Sequence, residues 1–400
     1  MDKKMIPSLC SDIDCTGCMA CANSCNKDAI SIVRNDEGFY RPSINSENCI
    51  GCGKCVLSCP IITPIKNVHK PIKVYAAWNK DAEIRKNSSS GGAFSALAET
   101  ILEEGGAVVG AAYSDKMNVF HYVIETKSDL HKLRLSKYVQ SDIGLVYREI
   151  KKYCKIGRKV LFCGTPCQSA GLRAYLNKEY TNVIICDFIC HGVPSPIMLE
   201  NYLTWLSKYY GKISYINFRD KRKGWYDALR VLTLNNGKQK ILRGKFDSYW
   251  VGFNNKNNNI QESCYNCKFV GFDRTSDITI ADYWGIGKNI PFGNIDEIEK
   301  GISSIIINTD NGYSLVQSAS EKMQMFERTI DEVVQGNKTI LHSCKRPTCR
   351  NYIYSDIRTM KYDDLIIKYL TPSFKGKMIK IFREYFPLSI IRAVRLRTQK

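Results

Sequence analysis

CTGCMACANSC at residues 15–25 and CIGCGKCVLSCP at residues 49–60 carry four cysteines each at the same spacing. Both stretches read C-x2-C-x2-C-x3-C, and a proline follows the second. Three closely spaced thiolates can bind one 4Fe-4S cube, whereas the fourth cysteine lies too far along the chain to complete that cube. The two stretches therefore predict a pair of 4Fe-4S clusters that share ligands between them.

We expect the fourth cysteine of each run to bind the cluster of the other run, as in two-cluster bacterial ferredoxins. The first cluster then takes Cys15, Cys18, Cys21 and Cys59, and the second takes Cys49, Cys52, Cys55 and Cys25. A disulfide scaffold and a pair of zinc sites are the alternatives, but zinc sites seldom use a three-plus-one repeat. Residues 1–62 are predicted to form a small two-cluster ferredoxin domain.

The composition limits the environment and the partners. The chain has 400 residues, 18 cysteines and a formal net charge of +19. It shows neither an apolar leader nor an uninterrupted apolar stretch of spanning length, so we expect a cytoplasmic protein with reduced thiols. The positive charge suits an acidic redox partner or a phosphate-bearing cofactor. No nucleic-acid partner is expected, because no recognition motif accompanies the charge.

The remaining sequence divides by its patterning. Residues 63–73 contain two prolines and are predicted to be a linker. Strand and helix patterns alternate over residues 74–195, which predicts an α/β domain. Residues 196–350 include a hairpin signal at Asn236-Gly237 and are predicted to be α+β, with a helix over 312–326.

The C-terminal segment is basic, and residues 351–400 are predicted to form a tail. From Lys375 to Lys400, basic and apolar residues alternate at near-helical spacing. This pattern would suit an anionic membrane surface or a partner, and equally a solvated terminal helix.

A second group of cysteines follows the predicted strands. Cys167 lies in GTPCQ and Cys190 in CHG, each directly after a strand, and Cys264 and Cys267 form a C-x2-C pair. Neighbouring strands that end in turns bring these thiols to one edge of the sheet. The spacing permits a third 4Fe-4S cluster, a zinc site or inert buried cysteines.

Six motifs carry a family resemblance: SSSGG (88–92), SKYVQS (136–141), GTPCQ (164–168), ICHG (189–192), C-x2-C (264–267) and SDITIADYWG (276–285). In this order they resemble the coenzyme F-420 hydrogenase/dehydrogenase beta-subunit family, which includes 7-hydroxymethyl chlorophyll a reductases. The resemblance implies a flavoprotein with FAD beside at least one 4Fe-4S cluster. Many bacterial members carry an N-terminal two-cluster module, and some are associated with polysaccharide synthesis.

The resemblance also implies site residues. The third cluster would take Cys167, Cys190, Cys264 and Cys267. The expected flavin contacts are Ser88, Ser89, Ser90, Gly91, Gly92, Lys137, Gly164, Thr165, Gln168 and Asp282. Small residues at a helix start let backbone N–H groups reach an anion. The same Ser/Gly run could be no more than a helix cap and a tight turn, and Lys137 could be a solvated lysine.

His191 follows a predicted cluster ligand and could donate a proton beside the flavin or make a structural hydrogen bond. Together these features predict an iron–sulfur flavoprotein oxidoreductase that passes electrons through 4Fe-4S clusters to a flavin and an unidentified substrate. The alternative is an electron-transfer subunit that feeds a partner enzyme, with a redox protein or a small molecule as donor.

Overall fold

A computed structural model of the chain describes residues 5–293 and 295–372. The N-terminal part is built on a two-stranded antiparallel hairpin in which Ile30 pairs with Ile44. A short helix follows each cysteine triplet. Its elements in chain order are α1 (Ala20–Ser24), β1 (Ile30–Arg34), β2 (Tyr40–Ile44) and α2 (Lys54–Leu57). The hairpin thus lies between the two cysteine runs.

The middle of the chain alternates strands and helices, as predicted. The elements are β3 (Lys73–Asn79), α3 (Ala82–Lys86), α4 (Ala93–Glu103), β4 (Ala107–Tyr113), β5 (Val119–Ile124), α5 (Leu130–Leu133), α6 (Val146–Lys155), β6 (Val160–Cys163), α7 (Pro166–Leu176), β7 (Val183–Phe188) and α8 (Pro196–Tyr210). A 3-10 turn at Lys127–Asp129 precedes α5.

The last third is more mixed. Its elements are β8 (Ile213–Asp220), β9 (Leu229–Leu234), β10 (Gln239–Ile241), α9 (Ser248–Trp250), α10 (Glu262–Tyr265), β11 (Ile278–Asp282), α11 (Ile295–Glu299), β12 (Ser303–Ile307), α12 (Asp310–Ser318), β13 (Met323–Arg328), α13 (Ile330–Gly336), α14 (Arg350–Asp356) and α15 (Tyr362–Leu365). Further 3-10 turns lie at Gly244–Asp247, Ser320–Lys322 and Lys338–Ile340, and π-helical segments at Val251–Asn255 and Ile366–Leu370.

Eight strands form the central sheet, in the order β13-β3-β12-β11-β7-β6-β4-β5. Strands β4, β6, β7 and β11 are parallel neighbours, and the outer strands pair antiparallel. The inner strands are almost wholly apolar because both faces of a central parallel strand are covered. Strands from both sides of the predicted boundary at residue 195 join this sheet, and strands β8, β9 and β10 form a separate one.

The two faces of the sheet bury different partners. Adjacent residues on β6 point to opposite sides, so Leu161 packs with α4 and α12 while Phe162 packs with α6 and α7. The second of these cores also contains Cys18 and Met19 from the N-terminal domain. The N-terminal domain therefore packs directly against the helices that cover one face of the sheet.

Buried polar contacts hold this docking in place. The Arg350 side chain is fully buried and donates to both carboxylate oxygens of Glu37, at 2.5 and 2.6 Å. Arg148 donates to the carbonyl oxygens of Asn23 and Cys25, at 2.9 and 2.7 Å. Hydrogen bonds that involve a charged side chain are stronger than neutral ones. The bonds of Arg350 and Arg148 therefore fix the orientation of the N-terminal domain.

The predicted fold class is confirmed: a ferredoxin-like N-terminal region precedes a mixed α/β body. The helix predicted over 312–326 is wrong in its second half, because the chain turns after Ser318 and Met323–Arg328 becomes a strand. Strand β13 pairs with β3 along its length, and this tertiary pairing overrides the local pattern.

The predicted tail contributes to the core in its first part. Ile353, Tyr354 and Tyr369 are buried in a large cluster with α8 and β8. The segment Lys375–Lys400 lies outside the described residues. In the described part of the chain, no helix has both the length and the apolar character needed to cross a bilayer.

Candidate functional site: three cysteine sets and a basic cavity

In the first cysteine set, Cys59 of the second run lies near the cysteines of the first run. Burial, together with the neighbouring thiols Cys15 and Cys59, raises the pKa of the Cys21 thiol to about 12. Burial also raises the pKa of Cys15, and again Cys59 adds to the effect. Left-handed backbone at Gly17 and Met19 gives the tight loop that leads into α1. Cys59 of the second run therefore stands near Cys15 and Cys21 of the first run.

The second set surrounds a small cavity. Cys25, Cys49, Cys52 and Cys55 line a space of about 170 Å³ together with apolar residues of the hairpin. Two backbone N–H groups donate to sulfur here, from Ala29 to Cys25 at 3.3 Å and from Gly51 to Cys49 at 3.4 Å. Such donors favour thiolates. Cys25 thus stands with the second run, as predicted.

The third set is assembled from distant segments at the carboxyl ends of two neighbouring strands. Cys167 begins α7 after β6, Cys190 follows β7, and the C-x2-C pair lies in and after α10. Burial raises the pKa of Cys190 well above its usual range, and Cys264 and Cys167 contribute next. Backbone N–H groups donate to the sulfurs of Cys190 and Cys267, both at 3.4 Å. Cys167, Cys190, Cys264 and Cys267 line one cavity.

The described residues include no group of three or more His, Cys, Asp or Glu side chains placed to hold a single metal ion. Thiolates around one 4Fe-4S cube stand farther apart, at about 6–7 Å, than thiolates around one ion with bonds of about 2.3 Å.

The first and third sets adjoin each other. A Cβ added at Gly171 would lie 3.0 Å from the sulfur of Cys18. Burial raises the pKa of Cys18, and the thiol of Cys167 is among the neighbouring groups that raise it further. Burial raises the pKa of Cys167 to about 11, while the hydrogen bond with Thr165 opposes the shift.

A buried polar network joins the backbone at the first set to the third. Gln261 donates to the carbonyl oxygen of Cys15 at 3.2 Å, and so does the hydroxyl of Ser263, at 3.3 Å. Gln140 donates to Gln261 at 3.1 Å and accepts from the backbone N–H of Tyr40 at 2.8 Å. Because Ser263 immediately precedes Cys264, the network fixes the two cysteine sets relative to each other.

The cavity that holds the third set has a volume of about 1120 Å³ and contains most of the predicted flavin residues. It lies at the carboxyl ends of the parallel strands, where ligands bind in α/β sheets. Ligand sites commonly measure about 300–1,000 Å³, so this one could hold a dinucleotide. The predicted residues that line it are Ser88, Ser89, Ser90, Gly92, Lys137, Gly164, Thr165, Gln168, His191 and Asp282.

Gly91 is not among the lining residues. A Cβ at this position would lie 2.4 Å from the carbonyl oxygen of Ala77 and 2.7 Å from the backbone nitrogen of Ser303. Its own N–H donates to the hydroxyl of Ser303 at 3.0 Å. Glycine is required at residue 91 for packing against β3 and β12, and the predicted close approach to a ligand is not seen here.

The rest of the Ser/Gly turn presents backbone to the cavity. The hydroxyls of Ser88 and Ser90 donate to carbonyl oxygens of Ile84 and Ile302, both at 2.7 Å. Gly92, with a φ of 90°, precedes the eleven residues of α4 and provides no side-chain cap. The turn thus directs the N-terminus of α4 at the cavity, where an anion would be stabilised.

Two partly buried lysines flank this turn. Lys137 lines the cavity and donates to the carbonyl oxygens of Lys132 and Arg134, at 2.9 and 2.6 Å. Burial lowers its pKa to about 7, so it is not the solvated lysine of the alternative interpretation. Burial also lowers the pKa of Lys221 to about 7, and its ammonium binds the carbonyl oxygens of Arg85 and Ser90. Lys221 was not among the residues predicted from the sequence.

Three other predicted residues are engaged by the protein itself. Gln168 accepts from the backbone N–H of Thr165 at 2.9 Å and donates to Ser141 at 3.0 Å, and Thr165 caps α7. Asp282 accepts from the indole of Trp225 at 2.6 Å and from Arg219 at 3.3 Å. These contacts give all three side chains structural roles in the cavity wall.

His191 also lies on the wall. One ring nitrogen lies 2.7 Å from the amide oxygen of Asn257, and the ring lies 3.5 Å from the sulfur of Cys344. Cys344 donates to the carbonyl oxygen of His191 at 2.9 Å. The histidine is therefore oriented by two protein groups while one side of it faces the cavity.

The cavity wall also carries cations that the sequence reading did not single out. Arg219, Lys223, Arg230 and Arg243 come from β8, β9 and the loops beside them. Arg230 is bound to both carboxylate oxygens of Asp247, at 2.8 and 2.5 Å. The signal was present in the basic stretch RDKRKGW at residues 219–225, but only the fold turns it towards the third cysteine set.

Three family models match the chain. The models for the N-terminal and C-terminal parts of the coenzyme F420 hydrogenase/dehydrogenase beta subunit match residues 74–146 and 157–333. The chain belongs to this beta-subunit family. A 4Fe-4S dicluster domain matches residues 14–61. The chain is thus an iron–sulfur member of the beta-subunit family with an N-terminal dicluster domain.

Two kinds of relative accompany these matches. The ferredoxin-type proteins NapF of Escherichia coli strains K12 and O157:H7 are 43% identical over 44 residues, 11% of this chain and 27% of the relative. The match thus spans about a quarter of those relatives. A solved structure of the F420-reducing [NiFe] hydrogenase complex from Methanosarcina barkeri includes a chain with 18% identity and a TM-score of 0.47, covering 76% of this beta-subunit-family chain and 94% of that one.

Proposed function

We propose that the chain is an iron–sulfur flavoprotein oxidoreductase. Electrons pass between a surface donor and the large cavity through two N-terminal 4Fe-4S clusters and a third cluster held by Cys167, Cys190, Cys264 and Cys267. The observation that carries the proposal is the contact of Cys18 with α7, the helix that holds Cys167 in its first turn. It makes the three cysteine sets one continuous series.

The residues of the third set suit a cluster. The four thiols lie in one cavity wall and burial raises the pKa of each, so all four become thiolates only when cationic iron offsets their charge. Backbone N–H donors to sulfur and the hydroxyl of Thr165, 3.1 Å from the sulfur of Cys167, would tune the cluster.

The cavity suits FAD. It has the size for a dinucleotide, the free N-terminus of α4 behind Gly92 for a pyrophosphate, and the partly charged Lys137 on its wall. A bound flavin accepts or donates one or two electrons and so links one-electron carriers to two-electron chemistry. The turn 88–90 and Lys137 would position the ligand, and His191 would hold a proton at its ring beside Asn257.

The size of the cavity favours an enzyme over a relay subunit. The wall extends from the Ser/Gly turn to Arg243 and Trp250 on the far side, which leaves space beside a flavin for a substrate. Lys223 and Arg243 on this part of the wall would suit an anionic substrate.

Anaerobic purification with iron, sulfide and flavin analysis tests the proposal. Wild type should hold about 12 iron atoms per chain, and Cys264→Ser about 8, because three cubanes become two. Cys154→Ser is the matched control: this thiol is buried on α6, away from the three sets, and its loss should leave the iron content unchanged.

Equal iron in Cys264→Ser and wild type would refute the third cluster. A folded wild-type chain that binds no FAD would refute the flavin. The two parts of the proposal are therefore separable.

A further inference from the structure

The second cysteine set lies at the outer end of the series. Among the cysteines of the three sets, Cys52 is exposed, whereas the others are buried or intermediate. Cys18 of the first set lies against Gly171 in the body of the protein, and Cys55 of the second set belongs to the same buried cluster as Cys18 and Cys21. An electron arriving from outside therefore meets the Cys52 edge before the first set and the cavity.

The surface around Cys52 is apolar. Ile50 and Leu57, which flank it in sequence, are 56% and 68% exposed, and Met5 is 84% exposed. The backbone of Met5 passes beside Gly51, so Met5 lies next to the segment that contains Ile50 and Cys52, and Leu57 lies on the short helix α2 that follows Cys52. Large apolar side chains gathered at a redox centre mark a docking surface, because exposing them to water has a cost that a partner removes.

The rim of this patch is positive. Lys27 and Lys54 line the same cavity as Cys49 and Cys52, and no carboxylate lines it. Both lysines are exposed, and neither forms an ion pair within the part of the chain that the structure describes. The nearby Asp28 is paired with Arg148 at 2.7 Å, so its charge is offset.

We propose that the patch formed by Met5, Ile50, Cys52 and Leu57, with Lys27 and Lys54 at its rim, docks an acidic electron-carrier protein whose own redox centre is exposed. One electron leaves the carrier and one enters the Cys25–Cys49–Cys52–Cys55 cluster, with no bond made or broken. A carrier with a carboxylate rim complements this surface, which neither an uncharged small reductant nor a basic protein does. The inference rests on the proposed electron transfer through the N-terminal clusters, and it is independent of the flavin.

Stopped-flow reduction of the anaerobic, full-length protein by a reduced acidic ferredoxin tests the inference. The readout is bleaching of the N-terminal clusters. In Lys27→Glu/Lys54→Glu the second-order rate constant should fall about tenfold at low ionic strength, because charge reversal removes electrostatic steering. Dithionite, which needs no docking surface, should reduce variant and wild type at rates within about twofold of each other.

Lys212→Glu/Lys238→Glu is the matched control. It makes the same change in net charge at two exposed lysines beside β8 and β9, away from the patch, and should keep the wild-type rate. Leu57→Ser should slow the ferredoxin reaction at high salt as well, since it removes apolar contact and not charge.

An equal fall of the second-order rate constant in the two double variants would mean that the reaction depends only on the net charge of the protein. This result would overturn the docking site. So would an unchanged rate in Lys27→Glu/Lys54→Glu. Because dithionite bleaching reports whether the clusters are present, failure of the docking site is distinguishable from failure of the proposed function.

Discussion

The N-terminal cysteine sets and the set in the cavity are built by different routes. In the N-terminal domain, three ligands of each set lie within seven residues of one another, so a tight loop such as that of Gly17 and Met19 gathers them. The cavity set takes single cysteines from the ends of β6 and β7 and a pair from α10. A short motif can specify the first kind of site almost alone, whereas the second exists only after the sheet has formed.

The largest effect is expected from variants that each remove one of the two N-terminal clusters. Cys59→Ala should remove the cluster of Cys15, Cys18 and Cys21, a loss of about 4 iron atoms, although Cys59 lies in the second run. Cys25→Ala should remove the other cluster. Paramagnetic spectra of the reduced variants would identify which signal disappears, and loss of the opposite signal in each would reject the crossed assignment.

The next largest effect is expected from a variant that breaks the contact between the N-terminal domain and the rest of the protein. Arg350→Met leaves the Glu37 carboxylate without its buried partner, and the free energy of unfolding should fall by about 2–4 kcal/mol, less than for a wholly buried pair because Glu37 is partly exposed. Denaturant titration of the holoprotein measures the change.

Arg358→Met is the control for this variant. Arg358 pairs with Asp36, whose side chain is almost fully exposed, so its loss should cost less than about 1 kcal/mol. Equal costs for the two variants would mean that Arg350 does not anchor the N-terminal domain.

Sequence alone anticipated which cysteines the fold brings together at both kinds of site, but for different reasons. The N-terminal sets followed from spacing, while Cys167 and Cys190 followed from their places after two strands and from the family motifs. The bond between Gln261 and the Cys15 carbonyl joins residues 246 positions apart, and nothing local marks it. The same holds for Lys221, whose role depends on three carbonyl groups brought together by the fold.

Errors in the sequence reading have a common physical origin. Met323–Arg328 has no strong strand pattern, and its conformation is decided by the free edge of β3. Gly91 looked like a ligand contact because glycine permits close approach, but the neighbour is the backbone of β3 and β12. In both positions a tertiary partner, absent from the local sequence, decides the outcome.

The smallest effect is expected for the binding of FAD in the cavity. The pKa of Lys137 is lowered to about 7, so its ammonium is charged below this pH and neutral above it. Between pH 6 and 8 the affinity for FAD should fall about tenfold, the size expected when a hydrogen bond from a charged donor is lost. Lys137→Met should bind as weakly at pH 6 as wild type does at pH 8.

Equilibrium titration with FAD across this pH range provides the measurement. Lys132→Met is the control, because its ammonium is exposed and keeps its charge throughout, with a pKa raised by Asp129. A wild-type affinity that does not change with pH would mean that Lys137 does not contact an anionic part of the ligand.

Helix α7 joins the first and third cysteine sets. Cys167 lies in its first turn and Gly171 four residues later on the same face, where the sulfur of Cys18 rests against the bare backbone. Cys167 and the contact with Cys18 are thus four residues apart on α7, a rise of about 6 Å along the helix axis. A side chain larger than hydrogen at residue 171 would press against Cys18 and move it away from α7, and because electron tunnelling weakens exponentially with distance, transfer between the two proposed clusters would slow.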